Sequence, residues 1–145
     1  PGSGDPAHFK LGDCTTQRNL NTEGREQARR IGLWLRQRGI AGARVYSSQW
    51  CRYRDTAAGI DLGPVTELPA LNSFFQHPQD RERRLNALKA FLADQPTDGK
   101  LILLVTHYVT IAGLTGEAVS SGEGVVLQLQ EGGGWISRGR LEFEH

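Results

Sequence analysis

The sequence lacks several features that mark particular classes of protein. Methionine is absent from its 145 residues, and cysteine occurs only twice, at Cys14 and Cys51. Two cysteines are too few for a disulfide-based scaffold and have no metal-ligand spacing, so two independent thiols are the first expectation. No apolar run reaches the roughly 18 residues of a membrane-spanning helix, and no signal peptide is visible. The sequence therefore predicts a domain that is held together by an apolar core.

Charge of one sign is not concentrated in any segment. The chain has 17 Lys and Arg residues against 16 Asp and Glu residues, for a net charge of +1. Without a long block of one sign, the sequence gives no indication of a nucleic-acid-binding arm or an acidic tail. Its length predicts a single domain, residues 1–145, that buries roughly 68–70% of the surface of the unfolded chain.

Strand-like and helix-like segments alternate along the chain. Residues 20–39 predict a helix, because Asn21 is a suitable N-cap, Gly39 is a suitable stop, and small and apolar residues recur between them at spacings of three and four. The alternation predicts an α/β fold with three layers, α/β/α, around a mostly parallel sheet. The predicted segments are a loop at 1–19, helices at 20–39, 49–60, 79–95 and 109–116, extended pieces at 43–48, 62–68 and 101–105, and a hairpin at 124–130 and 135–144.

Two of the predicted strands end in polar side chains. The run Leu-Ile-Leu-Leu-Val at 101–105 is typical of a strand buried on both faces, and Thr106 and His107 follow it. The strand at 43–48 ends in two serines, with Arg52 four residues further on. Because the carboxyl ends of parallel strands share one edge of a sheet, we predict that Arg52 and His107 converge there on an anion.

Each of these two residues also has an ordinary structural interpretation. His107 alone is compatible with a loop histidine whose hydrogen bonds are satisfied, and Arg52 with an ion pair to a nearby carboxylate such as Asp55. Arginine is nevertheless the side chain best suited to bidentate contact with phosphate, and helix N-termini add N–H donors. Convergence in space decides between the two interpretations.

Three segments, in order, carry a family resemblance. They are LNTEGREQARRIG, VYSSQWCRYRDTA and LLVTHYVTIAGLTG, and over roughly residues 13–130 the chain resembles the histidine phosphatase superfamily, whose fold is shared with cofactor-dependent phosphoglycerate mutases. The most specific element is the pattern Ser-Ser-x-x-x-Arg-x-x-x-Thr-Ala at 47–57. The resemblance implies a phosphoglycerate mutase-like fold in which Arg52 clamps the phosphoryl group and His107 is the second, non-nucleophilic histidine of the pocket.

The surroundings of the pocket are also suggested by the resemblance. The segment GDCTTQRNL at 12–20 looks like a loop of small bacterial members of the superfamily, many of them exported, and it would line the pocket with Gln17 and Arg18. Ser73 and the phenylalanines after it are expected to shape specificity.

The cysteines gain a second interpretation from this loop. If the loop folds over the pocket, Cys14 comes near the turn that carries Arg52, next to Cys51. A disulfide, formed in an oxidising compartment, is then the alternative to two buried thiols.

The family's nucleophile has no counterpart in the sequence. In the family it is the histidine of an Arg-His-Gly or Arg-His-Ala motif at the end of the first strand, and it becomes phosphohistidine during turnover. His8 follows no strand and is a poor substitute. We expect the motif to lie upstream of Pro1, so that the domain is incomplete at its N terminus, and we expect the missing strand to pair in the middle of the sheet. Localisation stays open between a bacterial periplasmic or exported protein and a cytoplasmic one.

The general acid of the mutases is replaced as well. Where they carry Leu-Asn-Glu, this sequence has Leu-Asn followed by Ser73. A serine with an ordinary pKa is not a useful proton donor near neutral pH. Either another carboxylate such as Glu67 or Asp13 serves, or the leaving group needs little protonation, and mutase activity is not expected.

The sequence thus predicts a phosphatase that hydrolyses a phosphomonoester or a phosphoramidate, phosphohistidine included, through a phosphohistidine intermediate. No metal or organic cofactor is implied, and the predicted partner is a phosphorylated small molecule or phosphohistidine rather than nucleic acid. Residues 1–145 alone are expected to bind phosphate without turning over an ester. The alternatives are a non-catalytic module that binds a phosphate ligand and a truncated product whose sheet is completed by another chain, and a homodimer stays open.

Overall fold

A computed structural model describes residues 6–120, 122–131 and 134–142. The chain alternates helices and strands as the sequence predicts, and the α/β fold class is confirmed. The elements are α1 (Thr22–Gln37), β1 (Arg44–Ser47), α2 (Cys51–Ile60), β2 (Val65–Glu67), α3 (Arg81–Ala93), β3 (Ile102–Val105), α4 (Tyr108–Thr115), β4 (Glu123–Leu129) and β5 (Trp135–Glu142). Short 3-10 turns at Cys14–Thr16, Pro69–Leu71 and Pro78–Asp80 lie between them.

Strands β1, β2 and β3 form a parallel sheet in the order β2-β1-β3. The register sets Tyr46 beside Thr66 on one side and beside Leu104 on the other. Strands β4 and β5 form a separate antiparallel hairpin, as predicted for this part of the chain. Among the described strands β3 bonds to β1 alone and β4 to β5 alone, so the expectation that a strand is missing from the middle of the sheet stays a prediction.

Strand β3 is only half-buried along its length, although the sequence predicts burial on both faces. The reason is its position, because β3 lies at an edge of the described three-stranded sheet and is flanked there by β1 alone. An edge strand keeps part of its surface open even when all of its side chains are apolar.

One face of the sheet packs against α1 and α2. Val45 of β1 points into this layer, which explains why the apolar stripe of α1 recurs every three or four residues. The buried residues of the cluster are Ala28, Ile31, Leu35, Ala43, Val45, Ala57, Ile60 and Leu62. Gly32 lies where the two helices approach most closely, and a Cβ there would collide with the carbonyl oxygen of Ile60.

The opposite face packs against α3 and α4. Tyr46, which follows Val45, points to this side because side chains alternate along a strand, and its ring meets Phe91 edge-on at 4.8 Å between centroids. Leu88 and Leu92 of α3 are buried there, with Leu129 of the hairpin packed against them. Helices therefore cover both faces of the sheet, and the three-layer prediction is confirmed.

The N-terminal loop is tied to α2 by a disulfide between Cys14 and Cys51, whose Cα atoms are 5.7 Å apart. The first expectation, two independent thiols, is wrong. The loop turns back at the 3-10 turn Cys14–Thr16, and this turn lies against the first turn of α2, so the two sulfurs meet. The bridge joins residues that are 37 positions apart in the chain.

Replacing Gly32 by alanine tests the close approach of α1 and α2. We expect Gly32→Ala to lower the free energy of unfolding by about 1–3 kcal/mol, because the methyl group must displace the backbone of Ile60. Gly24→Ala is the matched control in the same helix, since its Cβ would come within 3.0 Å of the flexible end of Leu20 and would otherwise make ordinary contacts with Leu20 and Asn21, at 3.5 Å or more. Urea denaturation measures both variants. Equal stability of the two would contradict the packing described here.

Reducing the disulfide tests its contribution to stability. We expect dithiothreitol to lower the free energy of unfolding by about 2–4 kcal/mol, because the cross-link restricts the unfolded chain. The double variant Cys14→Ala, Cys51→Ala should have the lower stability with and without the reductant. A wild-type chain whose denaturation midpoint does not respond to the reductant would show that the bridge contributes nothing.

Candidate functional site

The candidate site lies at the carboxyl edge of β1 and β3. Ser47 is paired with Val105 at the end of the ladder, and the backbone N–H of Ser48 donates to the carbonyl oxygen of Val105 at 3.0 Å. One strand therefore delivers Ser48 and the other delivers His107 to the same edge. Thr106 is fixed beside them, because its hydroxyl donates to the carbonyl oxygen of Leu71 at 2.6 Å.

Ser48 and His107 are joined by a buried hydrogen bond. The distance from Oγ of Ser48 to Nε2 of His107 is 2.8 Å, and the two residues are 0% and 5% exposed. The backbone N–H of Trp50 donates to the same Oγ at 3.1 Å. The serine hydroxyl thus links the N-terminal turn of α2 to the imidazole ring.

Aromatic side chains surround this imidazole. The ring of Tyr53 lies at 4.0 Å from His107 and that of Trp50 at 4.8 Å, measured between centroids. Phe9, from the N-terminal loop, stacks on Trp50 at 5.2 Å. These rings shield the histidine from water, and so the loop contributes to the environment of the site.

Arg52 lies in the first turn of α2, at the same edge as His107. Its guanidinium carbon is 5.0 Å from the ring centroid of Tyr53, the ring that also contacts the imidazole. Burial, and then the positive charge of Arg52, lower the pKa of His107 from 6.5 to about 3, so the imidazole is neutral at pH 7. The structure thus brings together the two residues that the sequence predicts to converge.

Gln17 lies next to the site, but its side chain is bonded within the protein. It is 8% exposed, and its Oε1 accepts from the N–H of Cys51 at 2.9 Å. Its Nε2 donates to the carbonyl oxygens of Lys10 and Leu11 at 3.1 and 2.9 Å. This amide holds the N-terminal loop against the first turn of α2. Arg18, the next residue, is exposed.

Asn72 holds the other side of the site, and the sequence analysis did not single it out. Its Oδ1 accepts from the backbone N–H of Gln49 at 2.8 Å, and its Nδ2 donates to Oε1 of Gln49 at 2.9 Å. The segment after β2 is thereby fixed to the turn between β1 and α2. Ser73, its neighbour, accepts the backbone N–H of Phe75 at 3.1 Å and so shapes its own turn.

The two carboxylates suggested as a general acid are engaged elsewhere. Asp13 accepts hydrogen bonds from the hydroxyl and the N–H of Thr15, and these bonds lower the pKa of its carboxyl group, which is the wrong direction for an acid. Glu67 pairs with Arg54 at 3.1 Å. In the structure as described, neither the carboxylate of Asp13 nor that of Glu67 contacts His107.

Within 6–120, 122–131 and 134–142, no group of three or more His, Cys, Asp or Glu side chains is arranged to hold a metal ion. In the same ranges no helix is both long and apolar enough to cross a bilayer.

The neutral state of His107 predicts a pH dependence of stability. The unfolded chain takes up a proton at this residue below pH 6.5, whereas the folded chain does so only near pH 3, so stability falls as the pH drops through that window. Between pH 7 and pH 5 we expect wild type to lose about 2 kcal/mol more than His107→Gln. Urea denaturation at both pH values measures this difference. Equal losses would contradict the neutral, buried imidazole.

The chain was compared with known families and structures. The model of the histidine phosphatase superfamily (branch 1) matches residues 13–75. Twelve chains of known structure match, among them the protein histidine phosphatase SixA complexed with tungstate, at 20% identity and a TM-score of 0.72 over 96% of this chain and 92% of that one. No curated protein matches in sequence. The family model covers the first half of the described fold and the match to SixA shows a shared fold, so both support the resemblance to the histidine phosphatase superfamily that the sequence carries.

Proposed function

We propose that the chain forms the phosphoryl-binding part of a phosphatase and holds the phosphoryl group of a phosphomonoester or a phosphoramidate between Arg52 and His107. The observation that carries the proposal is the position of Arg52 and the buried imidazole of His107 at one edge of the sheet, both against the ring of Tyr53. A guanidinium group holds phosphate oxygens with two parallel hydrogen bonds. The N-termini of α2 and α4 begin at the same edge, at Cys51 and Tyr108, and their N–H groups favour an anion.

His107 has a stabilising rather than a nucleophilic role in this proposal. Its Nε2 is already bonded to Ser48, inside the protein, and cannot approach phosphorus in line. A neutral imidazole can still donate one hydrogen bond to the phosphoryl group as negative charge develops on it. The phosphohistidine of the proposed two-step reaction therefore forms on a different histidine, and water hydrolyses its P–N bond in the second step.

The substrate class follows from the carboxylates that the structure describes, because neither of the two suggested as a general acid contacts the histidine. Asp13 and Glu67 are engaged with Thr15 and Arg54, and Ser73 stands where an acid would be needed. Such a site suits a leaving group that needs little protonation, which favours a phosphoramidate such as phosphohistidine over an alkyl phosphate. The related SixA is described as a protein histidine phosphatase, which supports the same substrate class.

The remaining predicted contacts take different roles in the proposal. Arg18 is exposed beside the loop that covers α2, and we assign it and Ser73 to contacts with the part of the substrate beyond the phosphoryl group. Gln17 acts through the loop, because both ends of its amide are bonded inside the protein.

A non-catalytic module that binds a phosphate ligand is the second candidate. It is favoured by the same engaged carboxylates, since a binding module needs the arginine and the histidine but no acid. Hydrolysis of p-nitrophenyl phosphate and of a phosphohistidine peptide, compared between residues 1–145 and a chain extended upstream of Pro1, separates the candidates. Oxyanion binding without turnover of either compound by the extended chain would support the module.

Removing Arg52 tests phosphoryl binding directly. We expect the full chain to bind tungstate, and Arg52→Ala to weaken that binding on the order of 10- to 100-fold, the effect of losing about 1.5–3 kcal/mol of charge-assisted hydrogen bonding. Arg44→Ala is the matched control, because it removes the same charge from an arginine at the start of β1, at the opposite edge of the sheet, where it pairs with Asp98. Isothermal titration calorimetry measures all three proteins. Unchanged affinity in Arg52→Ala would overturn the assignment.

A further inference from the structure

The hydroxyl group of Ser48 lies between a fixed donor and a ring nitrogen. We propose that Ser48 is a positioning residue that holds His107 in the tautomer with its proton on Nδ1, by donating its own hydroxyl proton to Nε2. This arrangement leaves the Nδ1–H as the group that His107 presents to a ligand. The assignment of the tautomer stands on the geometry of these two residues, whereas its use toward a phosphoryl oxygen rests on the proposed function.

The direction of the hydrogen bond follows from the backbone of the turn. The N–H of Trp50 can only donate, so its 3.1 Å contact uses a lone pair of the Ser48 oxygen. The single hydroxyl proton is then left to point elsewhere. The nitrogen at 2.8 Å, Nε2 of His107, is the acceptor that lies in reach.

The opposite tautomer of His107, with its proton on Nε2, would leave the hydroxyl proton of Ser48 without an acceptor. If Nε2 carried the proton and donated to Ser48, the serine oxygen would accept two hydrogen bonds and its own O–H would need a third partner. Among the residues that the structure describes, Ser48 Oγ has no contact other than those to Trp50 and His107. Because Ser48 is 0% exposed, water does not supply the missing acceptor.

The charged form of the imidazole would also leave the hydroxyl proton of Ser48 without an acceptor. An imidazolium carries a proton on both nitrogens, so it would also donate toward the serine oxygen. Burial and the charge of Arg52 already lower the pKa of His107 to about 3, which agrees with a neutral ring. Among the described residues, the charged and titratable groups placed against the ring are Arg52 and Tyr53, both from α2.

The other ring nitrogen remains available to a ligand. No group within the described ranges forms a hydrogen bond to Nδ1 of His107. This atom is also not one of the completely buried side-chain nitrogen and oxygen atoms that have no hydrogen-bond partner in these ranges. An N–H at this position can therefore meet an oxygen atom of a bound oxyanion. Such a donor, fixed in place before the ligand arrives, needs no reorganisation when charge develops.

Nitrogen NMR of the histidine ring tests the proposal without any ligand. In wild type labelled with 15N-histidine at pH 7, we expect a pyrrole-type signal from Nδ1 and a pyridine-type signal from Nε2. A protonated Nε2, or a charged ring, would overturn the proposal even if no variant could be prepared.

Two serine variants test whether Ser48 is the residue that sets the tautomer of His107. Ser48→Ala should move the Nε2 signal, because the hydrogen bond to the unprotonated nitrogen is lost. Ser47→Ala is the matched control, since Ser47 is equally buried and adjacent, but its hydroxyl donates to the carbonyl oxygen of Ser48 and not to the ring. An Nε2 signal that stays unchanged in Ser48→Ala, or that moves as far in Ser47→Ala, would refute the role of Ser48.

Tungstate binding separates this inference from the proposed function. We expect Ser48→Ala to bind tungstate at least a few-fold more weakly than Ser47→Ala does. If wild type has the Nδ1–H tautomer but does not bind tungstate, the positioning role stands and the proposed function fails. If tungstate binds to a ring protonated at Nε2, the proposed function stands and the positioning role fails.

Discussion

The register between β1 and β3 is the constraint on which both the core and the candidate site depend. It places Ser47 beside Val105, and beyond this pair strand β1 continues into Ser48 and strand β3 into Thr106 and His107. A slip by one residue would turn Val45 and Tyr46 toward the wrong helical layers, because side chains alternate along a strand. The same slip would separate the serine from the imidazole. The apolar contacts of the three layers therefore also hold the polar geometry at the sheet edge.

Several independent attachments fix the first turn of α2, the turn that carries Arg52. The disulfide joins Cys51 to the N-terminal loop, Gln17 accepts the N–H of that same cysteine, and Phe9 stacks on Trp50. A guanidinium nitrogen of Arg54 lies at 3.2 and 3.3 Å from the two sulfurs, and the same guanidinium group pairs with Glu67. Most of these contacts come from the N-terminal loop and the last comes from β2, so the loop and this strand together hold the turn in place.

The sequence predicts those features that depend on local patterns. The start of α1 is an example, because Asn21 accepts the N–H of Gly24 at 2.8 Å, as an N-cap should. The meeting of Arg52 and His107 was also predictable, since parallel strands share an edge. The roles of Gln17 and Asn72 were not, because each side chain bonds to a segment far away in the sequence, and only the folded loops bring those segments together. The cysteine pair was predicted only as an alternative to two independent thiols, since spacing alone does not show which loop lies on which helix.

The combination of a cation with a neutral imidazole has a chemical consequence for anion binding. An anion held by Arg52 offsets the charge that disfavours a proton on His107, but it leaves the burial of the ring unchanged, and burial is the larger cause of the low pKa. The imidazole therefore stays a hydrogen-bond donor and does not become a second fixed charge. In the proposed function the arginine then supplies the electrostatic attraction, and the histidine supplies one directed hydrogen bond. Such a site would recognise an oxyanion by the positions of its oxygen atoms as well as by its charge, which suits a phosphoryl group whose charge shifts among its oxygens during transfer.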